Sequence, residues 1–225
     1  MLKTTQIGLF GGTFDPIHYG HLRVAVEVRS AYGLNKIYII PAALSPHKIS
    51  CSMADAKDRF QMIRDAVSKD PGFKVSDVEL KRDKPSYTIE TVSYFKSTLP
   101  RDTSLFLIMG VDAFLEIETW KSYKKLFKMT ALIVVTRPGL DCNDILSMKK
   151  RIEKYLFDSI SPGYSFSSST YSFRHPEKKP IFLFETTPMN ISSSKIRQLV
   201  KKGRLIKYLV PYEVETFINK QGLYL

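Results

Sequence analysis

Short apolar runs alternate with amphipathic segments along most of the chain. The runs are too short for helices and rich in β-branched and aromatic residues, as buried strands are. They cover residues 7–10, 37–40, 73–80, 105–109, 131–136 and 181–184. Apolar residues at helical spacing fill the segments 19–33, 52–67, 86–99, 123–128, 145–156, 192–203 and 211–220. The alternation predicts an α/β protein with an open, Rossmann-like, doubly wound sheet, mostly parallel, with helices on both faces.

Two of these helices carry more detailed expectations. In the helix within residues 52–67, Phe60, Ile63 and Val67 have the spacing of an inward-facing stripe. In the helix within residues 86–99, Ser86 or Thr88 is placed to act as the N-cap.

Residues 159–180 break the alternation of strands and helices. They are rich in serine and proline, with aromatic residues interleaved. An ordered insertion, an irregular hairpin and a flexible linker all fit this composition. The 225 residues, 44% of them hydrophobic, can bury one substantial core. We therefore predict a single domain over residues 1–225, with this insertion and a helical C-terminal part over residues 192–225.

Residues 7–22 contain a strand, a turn and the start of a helix, and two histidines lie within them. Gly11 and Gly12 permit a positive φ and let a ligand approach the main chain closely. Amides at the strand end and the helix start attract anions. His18 and His21 are three residues apart, so both imidazoles can donate to phosphate oxygens and add positive charge. The alternative is a pair of capping or core histidines, but two of the four histidines in one glycine-rich turn favour a phosphate site.

Residues 191–197, with the sequence Ile-Ser-Ser-Ser-Lys-Ile-Arg, open a helix of the C-terminal part. Serine hydroxyls at a helix start either cap it or bond a phosphate, and the planar guanidinium of Arg197 suits phosphate oxygens. A plain N-cap with a solvated arginine fits this stretch equally well when it is taken alone. Ligands of open α/β sheets bind at the carboxyl ends of the strands, near the point where the strand order reverses. The residues expected to converge there are Gly11, Gly12, Pro41, Gly110 and Arg137.

The charge balance favours negatively charged partners without choosing among them. The formal net charge is +12 and the isoelectric point is about 9.6. Nucleic acid, a membrane surface and nucleotide phosphates all fit, and the basic residues are scattered in short pairs. Two cysteines are too few for a disulfide framework. No apolar run reaches membrane-spanning length and the N-terminus lacks a secretory pattern, so we expect a cytoplasmic protein.

Residues 11–22 resemble the signature of the HxGH nucleotidyltransferase superfamily, in the form found in bacterial nicotinate mononucleotide adenylyltransferases. Residues 191–197 resemble the ISSxxIR element of the same family. The resemblance spans nearly the whole chain apart from residues 159–180. Further matches, in the family's order, are Pro46-His47-Lys48, residues 86–91 (S-Y-T-x-x-T), residues 109–113 (the G-x-D-A turn), Trp120, residues 136–139 and Leu223-Tyr224.

The resemblance implies a transferase of NAD biosynthesis that condenses ATP with nicotinate mononucleotide, giving nicotinate adenine dinucleotide and pyrophosphate. The attack would be in line, without a covalent intermediate, and Mg²⁺ would bind with the ATP phosphates rather than in a metal site of the protein. The implied catalytic residues are His18, His21 and Arg197. The implied ATP-binding residues are these three with Gly11, Gly12, Thr13, Phe14, Gly110, Asp112, Ile191, Ser192, Ser193 and Ser194. The implied residues for the pyridine nucleotide are Lys48, Tyr87, Thr88, Trp120 and Arg137.

Other functions remain open alongside this one. The same chemistry could use another acceptor, such as nicotinamide mononucleotide or phosphopantetheine, or CTP in place of ATP. The paired motifs could belong to a class I tRNA synthetase, although the chain is short for one. A basic nucleic-acid-binding module without catalysis would leave the glycine-histidine turn unexplained. The resemblance implies no nucleic acid or membrane partner, and a homo-oligomer is left open.

Overall fold

A computed structural model describes residues 4–43, 53–82, 85–137 and 144–225. Strands and helices alternate through most of this part of the chain. The helices and strands are β1 (Gln6–Gly12), α1 (Tyr19–Ala31), β2 (Lys36–Pro41), α2 (Ala56–Val67), β3 (Phe73–Val75), α3 (Thr88–Thr98), β4 (Ser104–Gly110), α4 (Val111–Phe114), a 3₁₀ turn (Ile117–Thr119), α5 (Tyr123–Met129), β5 (Ala131–Val135), α6 (Ile145–Tyr155), a π-helical turn (Leu156–Ile160), β6 (Ser165–Ser167), β7 (Ser172–His175), β8 (Lys178–Phe184), α7 (Ser193–Lys201) and α8 (Tyr212–Gln221).

The described strands form one eight-stranded sheet in the order β3-β2-β1-β4-β5-β8-β7-β6. The first six strands of that order run parallel, and β7 and β6 add an antiparallel edge. From β1 the chain first adds β2 and β3 on one side and then crosses to β4 on the other. The strand order therefore reverses between β1 and β4, and this point is where ligands bind in doubly wound sheets. The predicted fold class is confirmed.

Apolar side chains cover both faces of the sheet because successive residues of a strand point to opposite sides. Leu105, Leu107 and Met109 of β4 belong to one hydrophobic layer, and Phe106 and Ile108 belong to the other. Helices α3, α5 and α6 close the first layer, and α1, α2, α7 and α8 close the second. None of the helices within the described ranges is long and apolar enough to cross a membrane.

The segment 159–180 forms an antiparallel hairpin, one of the outcomes that its composition left open. β6 pairs with β7 and β7 pairs with β8. The ring of Phe166 contacts those of Tyr171 and Phe173 at centroid distances of 5.2 and 5.1 Å, and Phe173 is buried. The interleaved aromatic residues thus give the hairpin its own apolar packing.

Some local predictions are wrong. The third strand ends at Val75 rather than at residue 80, because the chain turns after Asp77, whose carbonyl accepts from the Lys81 amide at 3.1 Å. Neither Ser86 nor Thr88 caps α3, since Tyr87 holds the N-cap position without a side-chain bond. The Ser86 hydroxyl instead accepts from the Ala43 amide at 3.2 Å.

The inward face of α2 also differs from its prediction. Phe60 is only partly buried, and the buried residues are Arg59, Met62, Ile63 and Val67. Ile63 and Val67 face inward as predicted, whereas Arg59 and Met62 are buried in place of Phe60.

Candidate active site

His18 is the N-cap of α1, the helix that begins directly after the turn. Its backbone is extended, and its Nδ1 accepts a hydrogen bond from the His21 amide at 3.4 Å. A backbone amide can only donate, so the neutral His18 imidazole carries its proton on Nε2. His18 thus caps the helix with one nitrogen and can donate with the other.

The two imidazoles lie against each other. Their centroids are 3.7 Å apart with 21° between the ring planes, and the ring of Phe14 meets His21 edge-on at 5.0 Å. His18 is 5% exposed. The stacking places both imidazoles on one side of the first turn of α1 and restricts the orientation of the rings.

Burial, together with the positive charge of Arg137, lowers the pKa of His18 from 6.5 to about 4. The imidazole is therefore uncharged at neutral pH in the free protein. In the free protein His18 thus offers a hydrogen bond rather than a charge, and the positive charge expected of it beside a bound phosphate stays a prediction.

Two of the backbone amides at the start of α1 are bonded within the protein. The Tyr19 amide donates to the Leu209 carbonyl at 3.1 Å, and the His21 amide donates to His18. Neither of these two amides is therefore free to bind an anion at this turn.

The glycines of the turn provide space rather than a positive φ. Gly11 and Gly12 lie within β1, and the residue with positive φ is Phe14, at 50°. A Cβ on Gly12 would lie 2.9 Å from the Phe14 ring, and one on Gly20 would lie 3.0 Å from the His18 ring. A Cβ on Gly11 would meet no atom of the described residues within 4 Å, which leaves room beside the main chain for a ligand.

The start of α7 lies directly on this turn. The Ser193 hydroxyl donates to the Pro16 carbonyl at 2.9 Å, and Arg197 Nη1 donates to the Asp15 carbonyl at 2.7 Å. Ser192 caps α7 by accepting from the Lys195 amide. The two predicted stretches, 191–197 and 11–22, therefore meet in space although some 180 residues separate them in sequence.

Ile191 and Ser194 complete this stretch. The Ile191 carbonyl lies 3.7 Å from the position that a Cβ on Gly20 would take. The Ser194 hydroxyl lies 3.3 Å from that of Ser192. Both predicted ATP-binding residues are thus within or next to the contact between α7 and the histidine turn.

Gly110, Asp112 and Arg137 lie together at the carboxyl ends of β4 and β5. Arg137 Nη1 donates to Asp112 Oδ2, and a Cβ on Gly110 would overlap Asp112 Oδ1. That Oδ1 atom is buried and has no hydrogen-bond partner among the residues the structure describes. It is an acceptor that suits a ligand donor, because a buried polar atom left unpaired is costly.

Of the residues predicted for the pyridine nucleotide, Arg137 lies beside Asp112. Trp120 and Tyr87 are partly buried against the layer closed by α3, α5 and α6. Lys121 Nζ lies 4.3 Å from the centroid of the Tyr87 ring. Within the described ranges no hydrogen bond or ring contact joins Trp120 or Thr88 to His18 or Arg197. Lys48 lies outside the described residues.

Sequence reasoning missed Arg59, Asp15 and Tyr224. Arg59 is 1% exposed, and its guanidinium donates to the carbonyls of Thr13, Ala43 and Ala54 at 2.8 to 3.2 Å. The sequence did carry a signal for Arg59. It lies three and four residues before Met62 and Ile63, so a charged residue occurs on the apolar face of α2. Asp15 and Tyr224 gave no such signal, because only the fold brings them together, at 2.6 Å.

A doubly wound sheet whose β1–α1 turn carries paired histidines and receives an arginine from a later helix defines a nucleotidyltransferase-type site. The model of the family described as Cytidylyltransferase-like matches residues 9–199. The chain is 41% identical to a protein of Desulfatibacillum aliphaticivorans, over 98% of this chain and 100% of the relative. It is 39% identical to a protein of Thermoanaerobacter sp. (strain X514), over 100% and 96%. Both are named "Probable nicotinate-nucleotide adenylyltransferase". The chain belongs to the cytidylyltransferase-like family, and within it to the nicotinate-nucleotide adenylyltransferases.

Solved structures show the same fold. A Plasmodium falciparum nicotinic acid mononucleotide adenylyltransferase complexed with NaAD superposes with a TM-score of 0.72 at 20% identity, covering 98% of this chain and 97% of that one. The same enzyme complexed with APC gives a TM-score of 0.67 over the same shares of both chains.

Proposed function

We propose that this protein condenses ATP with nicotinate mononucleotide, giving nicotinate adenine dinucleotide and pyrophosphate. The observation that carries the proposal is the contact between the paired-histidine turn and the start of α7, where Arg197 bonds the Asp15 carbonyl. The names of the relatives supply the substrate pair.

The chemistry needs no nucleophile from the protein. A phosphate oxygen of the mononucleotide attacks the α-phosphorus of ATP, and the bond from that phosphorus to the oxygen of the β-phosphate breaks. Pyrophosphate leaves with the electron pair. The attacking phosphate is already ionised at neutral pH, so catalysis consists of alignment and charge stabilisation.

His18 and His21 are proposed to donate to the phosphate oxygens as charge moves towards the leaving group. His18 suits this role without being charged, since its capping bond leaves the proton on Nε2. Arg197 provides fixed positive charge, and beyond its bonds to Asp15 it makes no other hydrogen bond among the described residues. Thr13 is proposed to help hold the phosphates.

Asp112 and Gly110 are proposed to hold the nucleoside of ATP. The buried, unpartnered Oδ1 of Asp112 is an acceptor for a ribose hydroxyl or a base amine. Trp120 would stack on the pyridine ring, with Tyr87 and Thr88 beside it. Lys48 and Arg137 would bind the mononucleotide phosphate as cations.

Mg²⁺ is proposed to arrive with the ATP phosphates and to neutralise part of their charge. The described residues include no group of three or more His, Cys, Asp or Glu side chains that could hold a metal ion. Such a donor set fits Mg²⁺ that keeps its waters and is bound mainly through substrate phosphates.

An acceptor comparison tests the proposal. Purified protein with ATP and Mg²⁺ is supplied in parallel with nicotinate mononucleotide, nicotinamide mononucleotide or phosphopantetheine, and pyrophosphate release is measured. We expect kcat/KM to be highest with the nicotinate compound and CTP to replace ATP poorly. Preference for phosphopantetheine, or pyrophosphate exchange that depends on an amino acid, would contradict the proposal.

The second candidate is binding of nucleic acid without catalysis, and the net charge of +12 is the observation that favours it. This alternative predicts affinity for DNA or RNA that falls steeply with salt, together with no pyrophosphate release from any acceptor.

A further inference from the structure

Asp15 is a buried acidic residue in the turn between β1 and α1, three residues before His18. It is 2% exposed. Its Oδ1 accepts from the Tyr224 hydroxyl at 2.6 Å and from the Ala54 amide at 3.1 Å. Its backbone carbonyl accepts from Arg197 at 2.7 Å. One residue is thus bonded to the segment before α2, to α7 and to the segment after α8.

Tyr224 reaches this turn because the chain folds back after α8. Gly222 ends the helix with φ 61°, and Tyr224 itself has φ 68°, a conformation that residues other than glycine adopt rarely and only where contacts compensate for it. Its ring packs against the layer closed by α1, α2, α7 and α8. Burial and the Asp15 carboxylate raise the pKa of the Tyr224 hydroxyl, so it stays protonated and acts as the donor.

The Asp15 carboxylate lies between Arg197 on one side and Tyr224 with the Ala54 amide on the other. Its Oδ2 is 3.4 Å from Arg197 Nη1, and no described residue gives that oxygen a hydrogen bond. The positive guanidinium attracts the carboxylate, while Tyr224 and Ala54 hold its other oxygen away. Without the Tyr224 hydroxyl, the carboxylate can rotate towards Arg197 and form the charge-assisted pair that such groups prefer.

That rotation would disturb the site in two ways. The rotated carboxylate would pair with the Arg197 guanidinium, which the proposed function assigns to the ATP phosphates. It would also move the Asp15–Pro16 segment, whose carbonyls are bonded to Arg197 and Ser193 and which leads directly into His18.

We infer that Tyr224 is a positioning residue: its hydroxyl bond to Asp15 holds the histidine turn in place and keeps Arg197 available for phosphate. The inference rests on the proposed function for its effect on turnover. Tyr224 need not touch either substrate. It acts through Asp15, and nothing in the mechanism above uses it.

Tyr224→Phe tests the inference, since it removes the hydroxyl and keeps the ring. At a temperature where the variant is fully folded, we expect kcat to fall about tenfold, because small displacements of catalytic groups are costly. KM for ATP should change less than kcat, since contacts to the nucleoside remain. Tyr212→Phe is the matched control, because Tyr212 lies on α8 and is 74% exposed, and it should behave as wild type.

A second readout needs no substrate. The ring protons of His18 and His21 shift each other's NMR signals because the rings are stacked at 3.7 Å. These signals should move in Tyr224→Phe and stay in Tyr212→Phe. Unchanged kcat, or unchanged ring signals, would overturn the inference. If wild-type protein makes no dinucleotide, the proposed function fails and the ring signals alone still decide the role of Tyr224.

Discussion

His18 lies at the boundary between the core and the proposed site, and its surroundings decide what its imidazole can offer. Burial and Arg137 keep it uncharged, and the capping bond from the His21 amide places the proton on Nε2. A charged imidazole would bind phosphate more strongly in the ground state. A neutral donor held in place costs no reorganisation as charge develops in the transition state, where a hydrogen bond is most useful.

The lowered pKa of His18 predicts how stability depends on pH. The unfolded chain binds a proton near pH 6.5 and the folded chain only near pH 4, so protonation favours unfolding as the pH falls through this window. The part of the free energy of unfolding that depends on a neutral His18 is fully present above pH 6.5 and is lost as the pH falls towards 4. Between pH 7 and pH 5 we expect His18 to remove about 2 kcal/mol from the free energy of unfolding.

Urea unfolding of wild type and His18→Gln at both pH values measures this contribution. The carboxylates that titrate in the same range contribute equally to the two proteins and cancel in the comparison. A pH dependence in His18→Gln as steep as that of wild type would show that His18 titrates normally.

Arg59 provides a prediction about stability behind the site. Arg59→Met leaves three carbonyl acceptors without their donor, so we expect a loss of roughly 3 kcal/mol in the free energy of unfolding. Arg64→Met is the control, since Arg64 is exposed on the same helix and should stay within about 0.5 kcal/mol of wild type. Equal effects in the two variants would contradict the role of Arg59.

At the scale of elements, the start of α1 is packed so closely that one methyl group matters. A Cβ on Gly20 would lie 3.0 Å from two His18 ring atoms and 3.7 Å from the Ile191 carbonyl. Such contacts force the neighbouring group to move by a few tenths of an ångström. The ring of His18 is that neighbour, so its position depends on glycine at residue 20.

Gly20→Ala should therefore separate stability from turnover. Alanine favours the helix by up to about 1 kcal/mol over glycine, so α1 should not lose stability through helix propensity. We expect kcat to fall about tenfold, because the displaced His18 no longer meets the phosphates in its productive position. Val26→Ala, on an exposed part of the same helix, should leave kcat unchanged. Wild-type turnover in Gly20→Ala would show that the His18 position is not critical.

The elements were predictable where one local signal determined them. Gly33 and Gly203 ended α1 and α7 as expected, and both have a positive φ. The predictions failed where tertiary contacts decided. A turn ended β3 early, the Ser86 hydroxyl bonded the Ala43 amide rather than capping α3, and the buried face of α2 accommodated Arg59.

At the scale of the whole molecule, the mostly parallel, doubly wound sheet followed from sequence because alternating strands and helices allow few topologies. The contact of residues 191–197 with the histidine turn was expected from the resemblance and has a geometric basis, since both segments lie at the carboxyl edge of the sheet. The bond between Asp15 and Tyr224 was not predictable. Both residues lie in stretches that match the family, but they are 209 positions apart and neither stretch indicates that the other is its partner.

The central claim is that the two stacked imidazoles stabilise the transition state of adenylyl transfer. It is tested most directly by kcat of His18→Ala and His21→Ala with ATP and nicotinate mononucleotide, beside His175→Ala in the distant hairpin. Loss of a donor that acts mainly in the transition state predicts a fall of roughly 10²–10³ in kcat for each of the first two, in folded protein, and wild-type turnover for the third. Near-normal turnover in either His18→Ala or His21→Ala would contradict the account.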